Sequence, residues 1–166
     1  MVSFEQFRKS ELRQSRPLIE SISSFTASDI LKIQDPDVLR YVVKFSKNQA
    51  SRKRALSELV RMESAEVLEY ISMTTDSDET KKLAINGLAR LGETEPLKRL
   101  ANSRDEKTVA HACAGLFRNA NKIIRELDIE SLDLLSKSSK NRRQKKEAER
   151  WLAKMKIVEM IKKFEK

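Results

Sequence analysis

Along most of the chain apolar residues recur at spacings of three and four and never in strict alternation, the period of a helix that buries one face. Val38, Leu39, Val42 and Val43 form one such stripe, Ala55, Leu56, Leu59 and Met62 a second, and Leu83, Ala84, Leu88 and Leu91 a third. Helix starts are marked by residues whose side-chain oxygens accept from orphan backbone N–H groups. Ser3 with Gln6 and Thr26 with Asp29 fit the capping box, in which the third residue bonds back to the cap. Asp35-Pro36 places a cap before a proline whose missing N–H costs nothing at the first helical position, and Thr94-Glu95-Pro96 opens another helix in a similar way. The pattern predicts helix after helix, each about 8–14 residues long.

Composition narrows this to an all-α fold. Gly and Pro contribute three residues each to the 166, about 4% together against roughly 12% in an ordinary protein, too few for the hairpins and bulges of a sheet. Aromatics make up 5%, so the core falls to Leu, Ile, Val, Met and Ala.

The helical pattern repeats. Arg54–Met62 superposes on Leu83–Leu91 at an offset of 29, matching Ala55 to Ala84, Leu59 to Leu88, Arg61 to Arg90 and Met62 to Leu91. Leu68 and Ile71 fall on Leu97 and Leu100 at the same offset, and on Leu39 and Val42 in the other direction. One step of 28 carries Ala84, Gly87-Leu88 and Arg90 onto Ala112, Gly115-Leu116 and Arg118. A period of that length is one helix–turn–helix unit, which buries too little surface to fold alone and must stack on its neighbours.

The clearest unit, Ser77 to Asn102, resembles the short HEAT-like repeat of the phycobilisome-lyase type: an acidic opening, an Ala-rich first helix, Leu91-Gly92 at its end, then a second helix. The likeness covers about residues 35–127; Glu63 and Asn119 stand where neighbouring units would carry the Gly. It implies a small right-handed α-solenoid of about four HEAT-like helix pairs with capping helices at both ends. Residues 1–34 would be the N-terminal cap, with Phe4, Phe7, Leu12, Leu18, Ile22 and Phe25 covering the first repeat; 35–127 the repeats; 128–166 a basic C-terminal helical segment. All belong to a single domain. Ser136–Arg143, without an apolar residue, reads as an exposed loop or frayed helix start, followed by a long helix from about Gln144 to Phe164. The repeat type implies architecture, not activity.

Charge is the main functional signal. The chain has a net charge of +9, but residues 137–166 hold 12 Lys and Arg against 4 acids, a net of +8, leaving +1 for the rest. Lys137, Lys140, Arg142, Arg143, Lys145 and Lys146 fall in ten residues that contain no acid. A second cluster, Lys44, Lys47, Arg52, Lys53 and Arg54, lies in an acid-free stretch over 38–57. Such density suits phosphate backbones, because each contact releases condensed counterions. It also suits a solvated surface or an acidic partner, and the sequence does not show whether the clusters share a face. Arg61, Arg90 and Arg118 recur at the ends of first helices, where they are expected to form ladders with Asp76, Asp78 and Asp105.

The terminal helix carries two apolar stripes. Ala148, Trp151, Leu152, Met155 and Val158 would pack on the body; Ala153, Ile157, Met160 and Phe164, nearly opposite, would meet a partner or a bend back onto the protein. On the concave face the second helices would present Glu66, Glu69 and Tyr70, then Lys98 and Arg99, then Lys122 and Arg125.

Catalytic signatures are lacking. There is no Gly-rich phosphate loop, no GxSxG elbow and no HExxH. His111 and Cys113 supply two ligands where a structural zinc needs four, and residues two apart on a helix do not face each other as a dyad would. HEAT-like enzymes include bilin lyases and glycosylases of alkylated DNA, but the lone Trp151 lies outside the repeats and no aromatic cleft with a carboxylate can be assembled. Three readings follow: a non-catalytic module holding a DNA or RNA backbone, with a protein partner; a protein–protein adaptor using the concave face and terminal helix; and, third, a glycosylase-type enzyme. No cofactor, metal, small-molecule substrate or membrane insertion is expected. One cysteine and a charged N-terminus fit an intracellular, cytoplasmic or nucleic-acid-associated protein.

Overall fold

The computed structural model describes residues 25–126 and 128–164, with side chains to Val158, and every regular element among them is an α-helix. In chain order these are α1 (Ala27–Ile30), α2 (Pro36–Phe45), α3 (Gln49–Arg61), α4 (Ala65–Thr74), α5 (Asp78–Leu91), α6 (Thr94–Ala101), α7 (Glu106–Arg118), α8 (Ala120–Arg125), α9 (Ile129–Ser138) and α10 (Arg142–Phe164). The Ser3–Gln6 cap and the apolar residues of 1–24 lie outside the described residues.

Two of the predicted starts hold and a third does not: at the head of α6 Glu93, not Thr94, stands at the N-cap, and no side chain caps the helix. Thr26 and Asp29 close a capping box, Asp35 accepts from the Asp37 N–H at 2.8 Å with Pro36 in the first turn, and Asn48, Ser77, Asp105 and Asp128 cap α3, α5, α7 and α9. The segment 136–143 departs from expectation. It is two helix ends joined by Ser139–Asn141, because Asn141 Oδ1 accepts from the Arg143 and Gln144 N–H groups and starts α10 at once. The Ser139 hydroxyl, buried, accepts from the Asn141 N–H and donates to Gln144 Oε1.

The helices lie in two layers. In one, α1 packs on α3, α3 on α5 and α5 on α7; in the other, α2 packs on α4, α4 on α6 and α6 on α9. Each helix also packs on the next in the chain from α2 to α9. The body continues past residue 127, since α9 lies against both α6 and α7 and carries α10 along its side. Trp151 of α10 stacks on Phe117 of α7 at 5.7 Å, which sets α10 next after α7 in the first layer.

Repeat-equivalent positions form the seam between the layers. Ala55, Ala84 and Ala112 are fully buried, as are Leu59, Leu88 and Leu116, and Leu39, Leu68 and Leu97 of the second layer meet them. At Gly87 a Cβ would come within 2.8 Å of Val60 Cγ2 and 3.2 Å of Leu68 Cδ1, so helix approach there requires glycine.

The turns closing α3 and α5 are copies 29 residues apart. The Ser64 N–H donates to the Leu59 carbonyl at 3.0 Å, the Glu93 N–H to the Leu88 carbonyl at 3.1 Å, with Glu63 at φ 53° and Gly92 at φ 75°. Asn119 keeps φ −89°, and α8 follows directly. A left-handed backbone is strained at Glu63 and free at glycine, so Glu63→Gly should raise stability by about 0.5–1 kcal/mol after the added unfolded-state entropy is subtracted. Urea unfolding checks this; a lower midpoint would mean that the Glu63 side chain itself holds the turn.

Candidate nucleic-acid interface

Ion pairs between successive first-layer helices fix their direction. Lys53 of α3 meets Glu79 of α5 at 2.9 Å, and Gln49 donates to the same carboxylate. Lys81 of α5 meets Asp105 before α7 at 2.5 Å, His111 of α7 approaches Asp78 at 3.4 Å, and Lys140, in the α9–α10 turn, meets Glu106 of α7 at 2.6 Å. The N-termini of α3, α5, α7 and α10 therefore line one edge of the molecule. Around the α2–α3 turn, on it and the helix ends beside it, lie Lys44, Lys47, Arg52, Lys53 and Arg54; around the α9–α10 turn lie Lys137, Lys140, Arg142, Arg143, Lys145 and Lys146. The two basic clusters thus share an edge, at its opposite ends, roughly 25–30 Å apart by three helix spacings. Between them the sequence mixes Asp76, Asp78, Glu79, Asp105 and Glu106 with Lys81, Lys82, Arg104 and Lys107, a stretch without a strong charge of either sign.

Several of these cations are engaged. Lys53 and Lys140 lace the edge, Arg54 lies 3.7 Å from buried Glu58, Arg52 donates to the Ser46 carbonyl at 2.7 Å, Lys137 pairs with Asp133 at 2.5 Å, and Arg143 with Glu147 at 3.2 Å. Among the described residues Lys44, Lys47, Arg142, Lys145 and Lys146 are exposed and form no ion pair. The outer side of α10 continues the charge with Arg150, Lys154 and Lys156 against Glu149, all exposed.

Lysines hold the edge carboxylates below the usual carboxylate range: Lys53 at Glu79, Lys81 at Asp105 and Lys140 at Glu106, in each case chiefly through a hydrogen bond. A depressed carboxyl stabilises the fold above its unfolded pKa, near 4, and that contribution is lost as pH falls through the folded value. Stability should therefore decline as pH falls below about 5. Asp105→Asn, which keeps a capping side chain, should flatten the decline in a pH series of urea midpoints. An unchanged slope would contradict a role for the lacing.

The predicted arginine ladder does not form. Arg61, Arg90 and Arg118 end their helices, whereas Asp76, Asp78 and Asp105 precede or open them, so the two sets lie on opposite edges about 20 Å apart. Arg61 instead meets Glu58 at 2.6 Å, and Arg118 donates to Asn86 Oδ1 at 2.6 Å. Lys98 and Arg99 are likewise engaged within the fold, Lys98 buried and Arg99 exposed. Lys98, 8% exposed, meets Glu95 at 2.5 Å and Glu130 of α9 at 2.9 Å, with Asp128 at 3.8 Å. Burial disfavours its charge, but those carboxylates outweigh it and the net shift is upward. Arg99 grips Glu69 of α4 with two bonds of 2.7 Å.

On α10, Ala148 and Met155 are buried and Trp151 and Leu152 pack on the core, whereas Ala153 and Ile157 are exposed, Ile157 at 52%. The side chains of Met160 and Phe164 lie outside those described. Neither a protein-family model nor a curated protein sequence matches the chain.

Cys113 is buried, which pushes its thiol up to about 11, away from nucleophilic chemistry at neutral pH. Among the described residues no group of His, Cys, Asp and Glu could hold a metal ion, and no helix is long and apolar enough to cross a membrane. Lys81, and the pairing of Lys140 with Glu106, escape a reading by composition. Their signal is the repeat itself, since partners lie 24 to 34 residues apart.

Proposed function

We propose that the chain is a small right-handed solenoid of about four HEAT-like pairs, with α10 as its last helix, and that it is a non-catalytic module holding a nucleic-acid backbone. The observation that carries the reading is the pair of basic clusters on one edge, five of whose cations have no carboxylate partner among the described residues. Lys and Arg presented from helix ends supply phosphate contacts, which position a nucleic acid without reading its bases. In support, the i to i+2 packing within each layer is what stacked pairs require.

Fluorescence anisotropy with labelled DNA and RNA of unrelated sequences tests this directly. Affinities should agree within a few-fold across sequences of one type. A single preferred sequence would overturn backbone recognition.

The exposed Ala153 and Ile157 between cations on α10 favour a second reading in place of the first, a protein–protein adaptor that docks its partner on this helix. Such an adaptor would bind no nucleic acid in the anisotropy experiment.

A further inference from the structure

A cavity of about 430 Å³ opens between α2, α4 and the start of α5, within the size range of small-molecule sites. Three cations line it, Arg40, Lys44 and Arg52, against one carboxylate, Asp76. What holds these cations in place leaves much of their charge available. The Arg40 guanidinium lies over two rings, 5.0 Å from Tyr70 and 5.2 Å from Tyr41, and its one carboxylate neighbour, Asp37, is at 3.1 Å on the solvent side of α2. Lys44 Nζ lies 5.3 Å over the Phe45 ring, and Arg52 is anchored by the neutral Ser46 carbonyl, leaving the rest of its fork unspent. Thr75, Ser77 and Thr80 also line it at the start of α5, where the Ser77 hydroxyl accepts from the Thr80 N–H and the Thr75 hydroxyl from the Ser77 N–H. Val43 and Ile71 give the cavity an apolar side, and its volume far exceeds that of a bare inorganic ion.

We infer that this cavity binds an organic phosphate monoester, its phosphate held by Arg40, Lys44 and Arg52 and its organic part against Ile71 and Tyr70. Two sources carry that chemistry: a free nucleotide and the 5′-phosphorylated end of a strand. The site does not depend on backbone binding at the α9–α10 turn, although Lys44 and Arg52 belong to the basic edge as well.

Titration calorimetry of the full chain with AMP, inorganic phosphate and adenosine, and binding of 5′-phosphorylated against 5′-hydroxyl oligonucleotides, test the assignment. AMP, the 5′-phosphorylated strand or both should bind about tenfold more tightly than the matched adenosine or 5′-hydroxyl probe, because hydrogen bonds to a charged group are the strong ones. Arg40→Gln and Lys44→Gln should each remove most of that preference. Lys145→Gln with Lys146→Gln should leave it intact while weakening backbone binding, so the two sites fail separately. Equal binding of both members of each pair, or a preference that survives Arg40→Gln and Lys44→Gln together, overturns the inference.

Discussion

Replacing Gly87 by valine should cost the fold about 3 kcal/mol, the upper part of the range for overpacking a close-packed core. Gly87 of α5 faces Val60 and Leu68, and even a bare Cβ would lie 2.8 Å from Val60 Cγ2. Val60 is β-branched and stiff, so it cannot swing away as a long side chain could. A valine adds two further methyls against the same wall, and relief requires α5 to separate from α3 and α4 together. For a chain of this size the loss corresponds to a melting point roughly 6–12 °C lower. Gly115 calibrates the effect: its Cβ would meet the end of Leu97 at 3.0 Å, which can turn, so Gly115→Ala should cost less than Gly87→Val. A melting point unchanged in Gly87→Val would mean that these helices do not approach so closely.

The second large effect is on binding. Arg142, Lys145 and Lys146 form no ion pair among the described residues, so changing all three to Gln breaks no contact in the fold. If each meets a phosphate, their loss removes about three counterion releases, lowering affinity roughly 100-fold near physiological salt. Stability should hold, and the three changes also reduce like-charge crowding at the start of α10. Lys140→Gln makes a contrast, because Lys140 pairs with Glu106 and its loss should show in stability as well as in binding. Full affinity in the triple variant would place the nucleic acid elsewhere.

The body of the fold was legible because its repeats are written in small and large apolar residues. Ala55, Ala84 and Ala112 and then Leu59, Leu88 and Leu116 mark the same buried seam three times. Caps at Thr26 and Asp35 were legible because local hydrogen bonds decide them. Relations across turns were not. The arginine ladder failed since a shared repeat position says nothing of which end of a helix the acids occupy. Lys98 reads as a surface lysine beside Arg99 until α9 delivers Glu130 and Asp128 to it from more than a turn of the array away. The cavity cations were hidden for the same reason: Arg40 and Tyr70 come together only when α2 packs on α4. That the basic clusters share an edge follows from Lys53–Glu79, Lys81–Asp105 and Lys140–Glu106, pairs that no motif announces.

The most direct measurement is the salt dependence of nucleic-acid binding by the full chain. Four to six phosphate contacts predict a slope of log affinity against log salt of roughly −3 to −5, reduced by about 2.7 in the triple variant Arg142→Gln, Lys145→Gln and Lys146→Gln. Binding with a flat salt dependence, or with the same slope in wild type and triple variant, would contradict a phosphate grip on this edge.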